Sequence, residues 1–239
     1  MITTFVTPVI LSQAPRRLLT DPLRRLTVSR DGHRPPLPAG DTLAERITRS
    51  NESFVATFRQ FSPQLVTDLL SHLGPQLDAH WAGQSLDGPA DADVSWAGEG
   101  RSPRWIDLAR EFTENWVHEQ QIRETVSQGG SVEYADTVVD TFARALPHTL
   151  RGLDRPAGTR ARLSVTGRAG GTWDCVRSDS GWGLVPVEGA PDAEVVMDQD
   201  TFWRLATRMI SVGDARARSR SVGDAEISDA MTTLLAIVR

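Results

Sequence analysis

Lysine is absent from the chain, so every basic side chain other than histidine is arginine. Cysteine occurs once, at Cys175, which excludes an internal disulfide and any zinc cluster built on several thiolates. No apolar run approaches the roughly 20 residues that cross a membrane. The opening Met1-Ile-Thr-Thr-Phe-Val-Thr-Pro-Val-Ile-Leu lacks a basic flank and is broken by Pro8, so it is a poor signal peptide. The formal net charge is -5, and no arginine cluster is interleaved with aromatics, which argues against a nucleic-acid partner. These absences leave a cytoplasmic globular protein with no nucleic-acid or membrane partner; a small-molecule substrate and a homo-oligomer are the partners expected on further grounds. At 239 residues it is long enough for one large domain or two ordinary ones.

The most informative stretch runs from Ser102 to Glu124 and reads as one long helix. Ser102 suits an N-cap, and Pro103 suits the first helical position, where its missing N–H costs nothing. Trp105, Leu108, Ala109, Phe112 and Trp116 form its apolar stripe. Glu114 and His118 project from the other side. Their spacing of four places both side chains on one face, where a carboxylate and an imidazole can share a divalent metal such as zinc. The same pair also occurs as an ordinary polar pair on a solvated helix. With Ile106, Val117 and Ile122 at the edges of the polar side, the helix is either exposed there or buried on two sides around a polar site.

Earlier in the chain, Arg16–Leu26 carries Leu19, Leu23 and Leu26 at helical spacing, interrupted by Pro22. A Pro/Gly-rich loop follows over 30–40 and contains His33. Asp41 suits an N-cap for a helix over 41–59, with Leu43, Ile47, Phe54 and Phe58 inward. Ser62-Pro63 begins another, with Leu65, Leu69, Leu73 and Leu77 every four residues. His72 and His80 lie two turns apart on it and read as boundary residues. Gln128-Gly-Gly130 ends the long helix, and a helix from 132 to 150 places Val138, Val139, Phe142 and Leu146 inward.

After 153–158 the pattern changes from helical to alternating. Strands are expected at 161–166, 172–177, 182–187 and 193–197. Asp198 or Asp200 then caps a helix with Phe202, Trp203, Leu205 and Met209, and Asp224 caps a last one with Ile227 and Met231. Cys175 falls in the sheet as a buried structural thiol. The expected fold class is therefore α+β: a helical bundle over 1–152, then a small α+β domain over 158–239.

The stretch Trp105-Ile-Asp-Leu-Ala-Arg-Glu-Phe-Thr-Glu-Asn-Trp-Val-His-Glu-Gln-Gln-Ile-Arg123 resembles the mycothiol-dependent maleylpyruvate isomerase family of actinobacteria. Arg30-Asp-Gly-His33, Ser95-Trp-Ala-Gly98, Ala145-Leu-Pro-His148, Val165–Trp173 and Asp200-Thr-Phe-Trp203 extend the resemblance over nearly everything after residue 16. It implies a DinB-like, metal-holding four-helix bundle joined to a sterol-carrier-like domain. It also implies Glu114 and His118 as metal ligands, a third histidine from an earlier helix, and mycothiol as the thiol cofactor. The chain departs from that pattern twice. Arg17 stands where the resemblance puts the earlier histidine, and residues 1–15 do not look like the family's first helix. A cationic Arg17 would repel a metal or pair with Glu114.

Three functions follow as expectations. The first is a divalent-metal-dependent, mycothiol-using isomerase or thiol transferase, with Glu114 and His118 on the metal and His33, His72 or water as third ligand. The second is a non-catalytic, metal-free relative acting as a binding or regulatory protein. The third places the function in the C-terminal domain, as a lipid-like ligand site near Trp173, Trp182 and Trp203, residues more simply explained as core.

Overall fold

The computed structural model describes residues 22–90 and 102–236. The chain is α+β, and its described residues divide into two compact units, the first formed by 22–90 with 103–131, the second by Ser102 with 132–236. The expected position of Arg17 lies outside the described residues, as does the Ser95–Gly98 segment.

In the first unit, a helical segment at 22–25 runs into a π-helical turn, Leu26–Arg30, closed by the Asp31 N–H donating to the Leu26 carbonyl at 3.0 Å. Helix α1 spans Leu43–Phe58, α2 Pro63–Ala82 and α3 Arg104–Thr125. The N-cap of α1 is Thr42 rather than Asp41: the Thr42 hydroxyl accepts from the Glu45 N–H, and the Glu45 carboxylate reaches back to the cap backbone. That reciprocal pair satisfies two otherwise orphaned donors, which one Asp41 carboxylate would not do alone. Ser62 caps α2 as expected, its hydroxyl accepting from the Leu65 N–H. Val66 and Leu77 are buried on α2, and Phe58 and Val66 gather Leu23, Phe54, Phe61, Leu69, Leu70 and Leu73 around them. Leu65, expected in that stripe, points out and is 43% exposed.

The short segment 22–30 ties these helices together. Arg24 donates to Asn51 Oδ1 (2.9 Å) and Ser50 Oγ (3.2 Å) on α1 and lies over the Phe54 ring. Arg25 reaches α3 and lies 5.7 Å from the Trp81 ring centroid on α2. Arg30 donates to Gln76 on α2.

In the second unit the helix expected over 132–150 is two helices, α4 (Ala135–Ala143) and α5 (Leu146–Leu150). Pro147 has no N–H to bond the Ala143 carbonyl, and the chain breaks at Arg144–Ala145. Both helices pack against the elements that follow them, and the two units divide near 131. Strands β1 (Arg160–Thr166), β2 (Gly171–Ser178), β3 (Gly181–Val185) and β4 (Ala193–Asp198) stand within two residues of expectation. A further strand, β5 (Arg220–Gly223), completes the order β3-β2-β1-β4-β5, with β1 and β4 parallel and the other pairs antiparallel. Gly170 permits the β1–β2 turn, since a Cβ there would lie 2.2 Å from the Val165 carbonyl oxygen. Helices α6 (Gln199–Ala206), α7 (Val212–Ala217) and α8 (Ala225–Met231) are capped by the side chains of Asp198, Ser211 and Asp224. Ala161, Leu163, Val165, Cys175, Val195 and Met197 face a core with Phe142, Leu146, Leu150, Phe202, Leu205 and Ile227.

Cys175 is wholly buried, and burial, with the neighbouring Asp174 charge, pushes its thiol up to about 12. Only the thiolate reacts quickly. We therefore expect no reaction with an aromatic disulfide reagent at pH 8 in the native protein and one equivalent after denaturation. Prompt labelling of native protein would show the β1–β2 pair to be open.

Candidate functional site

The site is built on α3. Pro103, not Ser102, holds the N-cap position, and no side chain caps the helix there. Every residue of α3 except Glu124 is partly or fully buried, on the polar side as well as on the apolar one. The residues most deeply buried are not the expected aromatic stripe alone. Asp107, Glu111, Thr113 and Gln120 are buried along with Trp116 and Val117.

Two buried carboxylates need a counter-charge, and Arg25 supplies it. Its Nη1 and Nη2 donate to Asp107 Oδ2 (2.7 Å) and Oδ1 (2.6 Å), and its Nε donates to Glu111 Oε1 (2.6 Å). The planar guanidinium fork makes such a two-acid grip where a lysine could offer only a point charge. Arg25 is 7% exposed, Asp107 0% and Glu111 5%. Burial favours the neutral form of Arg25, but the Glu111 and Asp107 charges and bonds outweigh it and hold the guanidinium more firmly protonated than usual. For Glu111 burial dominates, and its carboxyl lies above the ordinary range despite Arg25 and Arg110. Glu111 Oε2 is buried without a hydrogen-bond partner, which accounts for that preference for a proton.

Arg110 extends the network along the helix. Its Nη1 donates to Glu114 Oε1 at 2.8 Å, one turn on, and its Nη2 lies 3.3 Å from Asp107 Oδ1 and 3.4 Å from Glu111 Oε1. Burial lowers the proton affinity of Arg110, and the charges of Glu114 and Glu111 more than restore it. Glu114 thus pairs with Arg110 on its own helix, while the pairing expected with Arg17 lies outside the described residues. His118 Nδ1 stands 3.0 Å from the Gln121 side-chain amide, one turn on.

The expected third ligands do not join Glu114 and His118. His33 is exposed in the loop after the π-helical turn, its N–H bonded to the Thr27 carbonyl. His72 is exposed on α2. His80 Nε2 is 2.8 Å from Ser29 Oγ. Among the described residues no group of three or more His, Cys, Asp or Glu side chains is arranged to hold a metal ion. A catalytic zinc takes three protein donors and one open position. Among the described residues the donor set stops at two, one of them bonded to a guanidinium.

In the second unit, the indole N–H groups of Trp173, Trp182 and Trp203 donate to Asp140, the Leu153 carbonyl and Asp200, which marks these rings as structural. Among the described residues no helix is long and apolar enough to cross a membrane.

No family model matches the chain, and no curated protein matches it. Among solved structures, sterol carrier protein 2 like 2 from Aedes aegypti is similar to part of it, at 14% identity over 44% of this chain and 100% of that one, with a TM-score of 0.31. A likeness at that score carries no argument about fold or function.

Proposed function

We propose that this chain is a metal-free relative of the isomerases that its sequence resembles, acting as a binding or regulatory protein without mycothiol-dependent turnover. The observation that carries the reading is the occupation of the α3 carboxylates by arginine: Arg25 on Asp107 and Glu111, Arg110 on Glu114. A guanidinium within hydrogen-bond distance of Glu114 opposes a second cation there by direct repulsion.

One observation favours the metal-dependent isomerase or thiol transferase as a second reading. The Gln121 amide within hydrogen-bond reach of His118 Nδ1 can orient the ring in the manner of outer-shell support at metal sites. Elemental analysis of protein purified without chelator separates the two. The metal-free reading expects no stoichiometric zinc in wild type or in His118→Ala. About one equivalent in wild type, lost in His118→Ala, would establish the metal-dependent reading instead.

A further inference from the structure

Outside the α3 network, the first unit brings a serine hydroxyl and a histidine ring together from elements 51 residues apart. Ser29 Oγ lies 2.8 Å from His80 Nε2, and both side chains are half-buried, so solvent still reaches the contact. Ser29 sits in the π-helical turn Leu26–Arg30. Such turns are rare and occur frequently at functional sites. The turn is fastened to α2 on both sides of the contact, by Arg25 over Trp81 and by Arg30 Nη1 donating to Gln76 Oε1 at 2.9 Å. The next residue, Asp31, places a carboxylate within electrostatic range of the His80 ring. Its carboxyl lies below the ordinary range, chiefly through the Arg30 hydrogen bond, with a smaller contribution from His80.

We propose that Ser29 is a nucleophile and His80 its general base, giving this chain a metal-independent acyl-transfer activity toward small activated esters. A hydroxyl is a poor nucleophile unless a base within hydrogen-bond reach takes its proton, and the Ser29–His80 distance meets that condition. Ser29 Oγ bonds to the ester carbonyl carbon while its proton passes to His80 Nε2. The carbon–oxygen bond to the leaving alcohol breaks, and that alcohol departs with the proton from His80. Water, deprotonated by the same nitrogen, then releases the acid and restores Ser29. The partial exposure of both side chains favours a short acyl group over a long buried one. The inference is independent of the metal-free reading of α3.

The test is covalent labelling of the full chain with a fluorophosphonate, in which Ser29 Oγ displaces fluoride from phosphorus and His80 takes the proton, followed by peptide mass spectrometry. Ser221, exposed on β5, serves as an internal control without a histidine partner. General-base assistance predicts labelling of Ser29 roughly 100-fold faster than of Ser221. His80→Gln keeps a hydrogen-bonding group beside Ser29 but removes the base, and should slow labelling by about the same factor. Labelling of Ser29 no faster than Ser221 overturns the proposal in wild type alone, whether or not the variant folds. So does an unchanged rate in a folded His80→Gln variant, which would reduce the pair to a structural hydrogen bond.

Discussion

Arg25→Met removes about 3–5 kcal/mol of stability from the helical unit, which is enough to unfold it in many domains of this size. Methionine keeps most of the side-chain length and loses the charge. Asp107 and Glu111, 0% and 5% exposed, then face the interior with only the longer contacts of Arg110 at 3.3 and 3.4 Å. The loss comes from stranding charge, not from forgoing an attraction that was large in itself. A buried ion pair roughly balances its desolvation, whereas half of one does not. The triple replacement Arg25→Met, Asp107→Leu, Glu111→Met should accordingly recover most of what Arg25→Met alone loses. Urea unfolding followed by far-ultraviolet circular dichroism measures both. A single variant within about 0.5 kcal/mol of wild type, the range of ordinary surface substitutions, would show that the cluster is solvated in solution.

The second large effect belongs to the sheet unit. Asp174 is fully buried on β2 and accepts from Arg160 Nη1, Arg162 Nε and Nη2, and the Glu188 N–H. Arg162 stands directly opposite it across the β1–β2 ladder and also donates to the Glu188 and Gly189 carbonyls, so one carboxylate fastens both the strand pair and the loop after β3. Asp174→Ala should cost about 3 kcal/mol, less than a fully enclosed pair would, because water reaches both arginines. The same group sets an acid limit. Burial pushes the Asp174 carboxyl up, and the hydrogen bonds from Arg162, Arg160 and Glu188 more than reverse it, leaving the folded value below the ordinary one of 3.8. A depressed folded value means that the stabilisation is complete above the unfolded value and is lost as pH falls through the folded one. Wild type should therefore lose stability steeply below about pH 4, the ordinary aspartate range, and Asp174→Asn should have a flatter acid limb. Parallel limbs in a pH series of urea midpoints would contradict the assignment.

The two networks differ in how far they could be read beforehand. The sheet unit was legible because its signals are local. Alternation in Ala161–Thr166, the glycine turns, and the caps at Asp198 and Asp224 each depend on neighbours within a few residues. Strand β5 was not legible, since Arg220-Ser-Val-Gly223 is four residues long and exposed throughout, with no alternation to display. Ser62 and the α2 stripe were local and readable in the same way.

The central helix was legible as a helix but not as a site. Its spacing draws attention to Glu114 and His118, and nothing local singles out Asp107 and Glu111 on the adjoining turns. What buries them is Arg25, 82 and 86 residues away, and no periodicity announces a contact of that range. The run Asp107, Glu111, Glu114 with Arg110 among them was the available clue, being an acidic stripe on a helix with apolar residues at its edges. The division near 131 was hidden for a related reason. The residues of 135–150 have ordinary helical periodicity, and only their packing partners show which unit they join.

The central claim is that arginine, not a metal, neutralises the α3 carboxylates, and thermal unfolding with and without zinc tests it most directly. A ligand that binds only the folded chain at 100 times its dissociation constant adds about 2.7 kcal/mol, worth several degrees in melting temperature for a chain of this length. The account predicts the same melting temperature in zinc and in chelator for wild type and for Glu114→Gln. A rise of several degrees in wild type that disappears in Glu114→Gln would contradict it and place a metal beside Arg110.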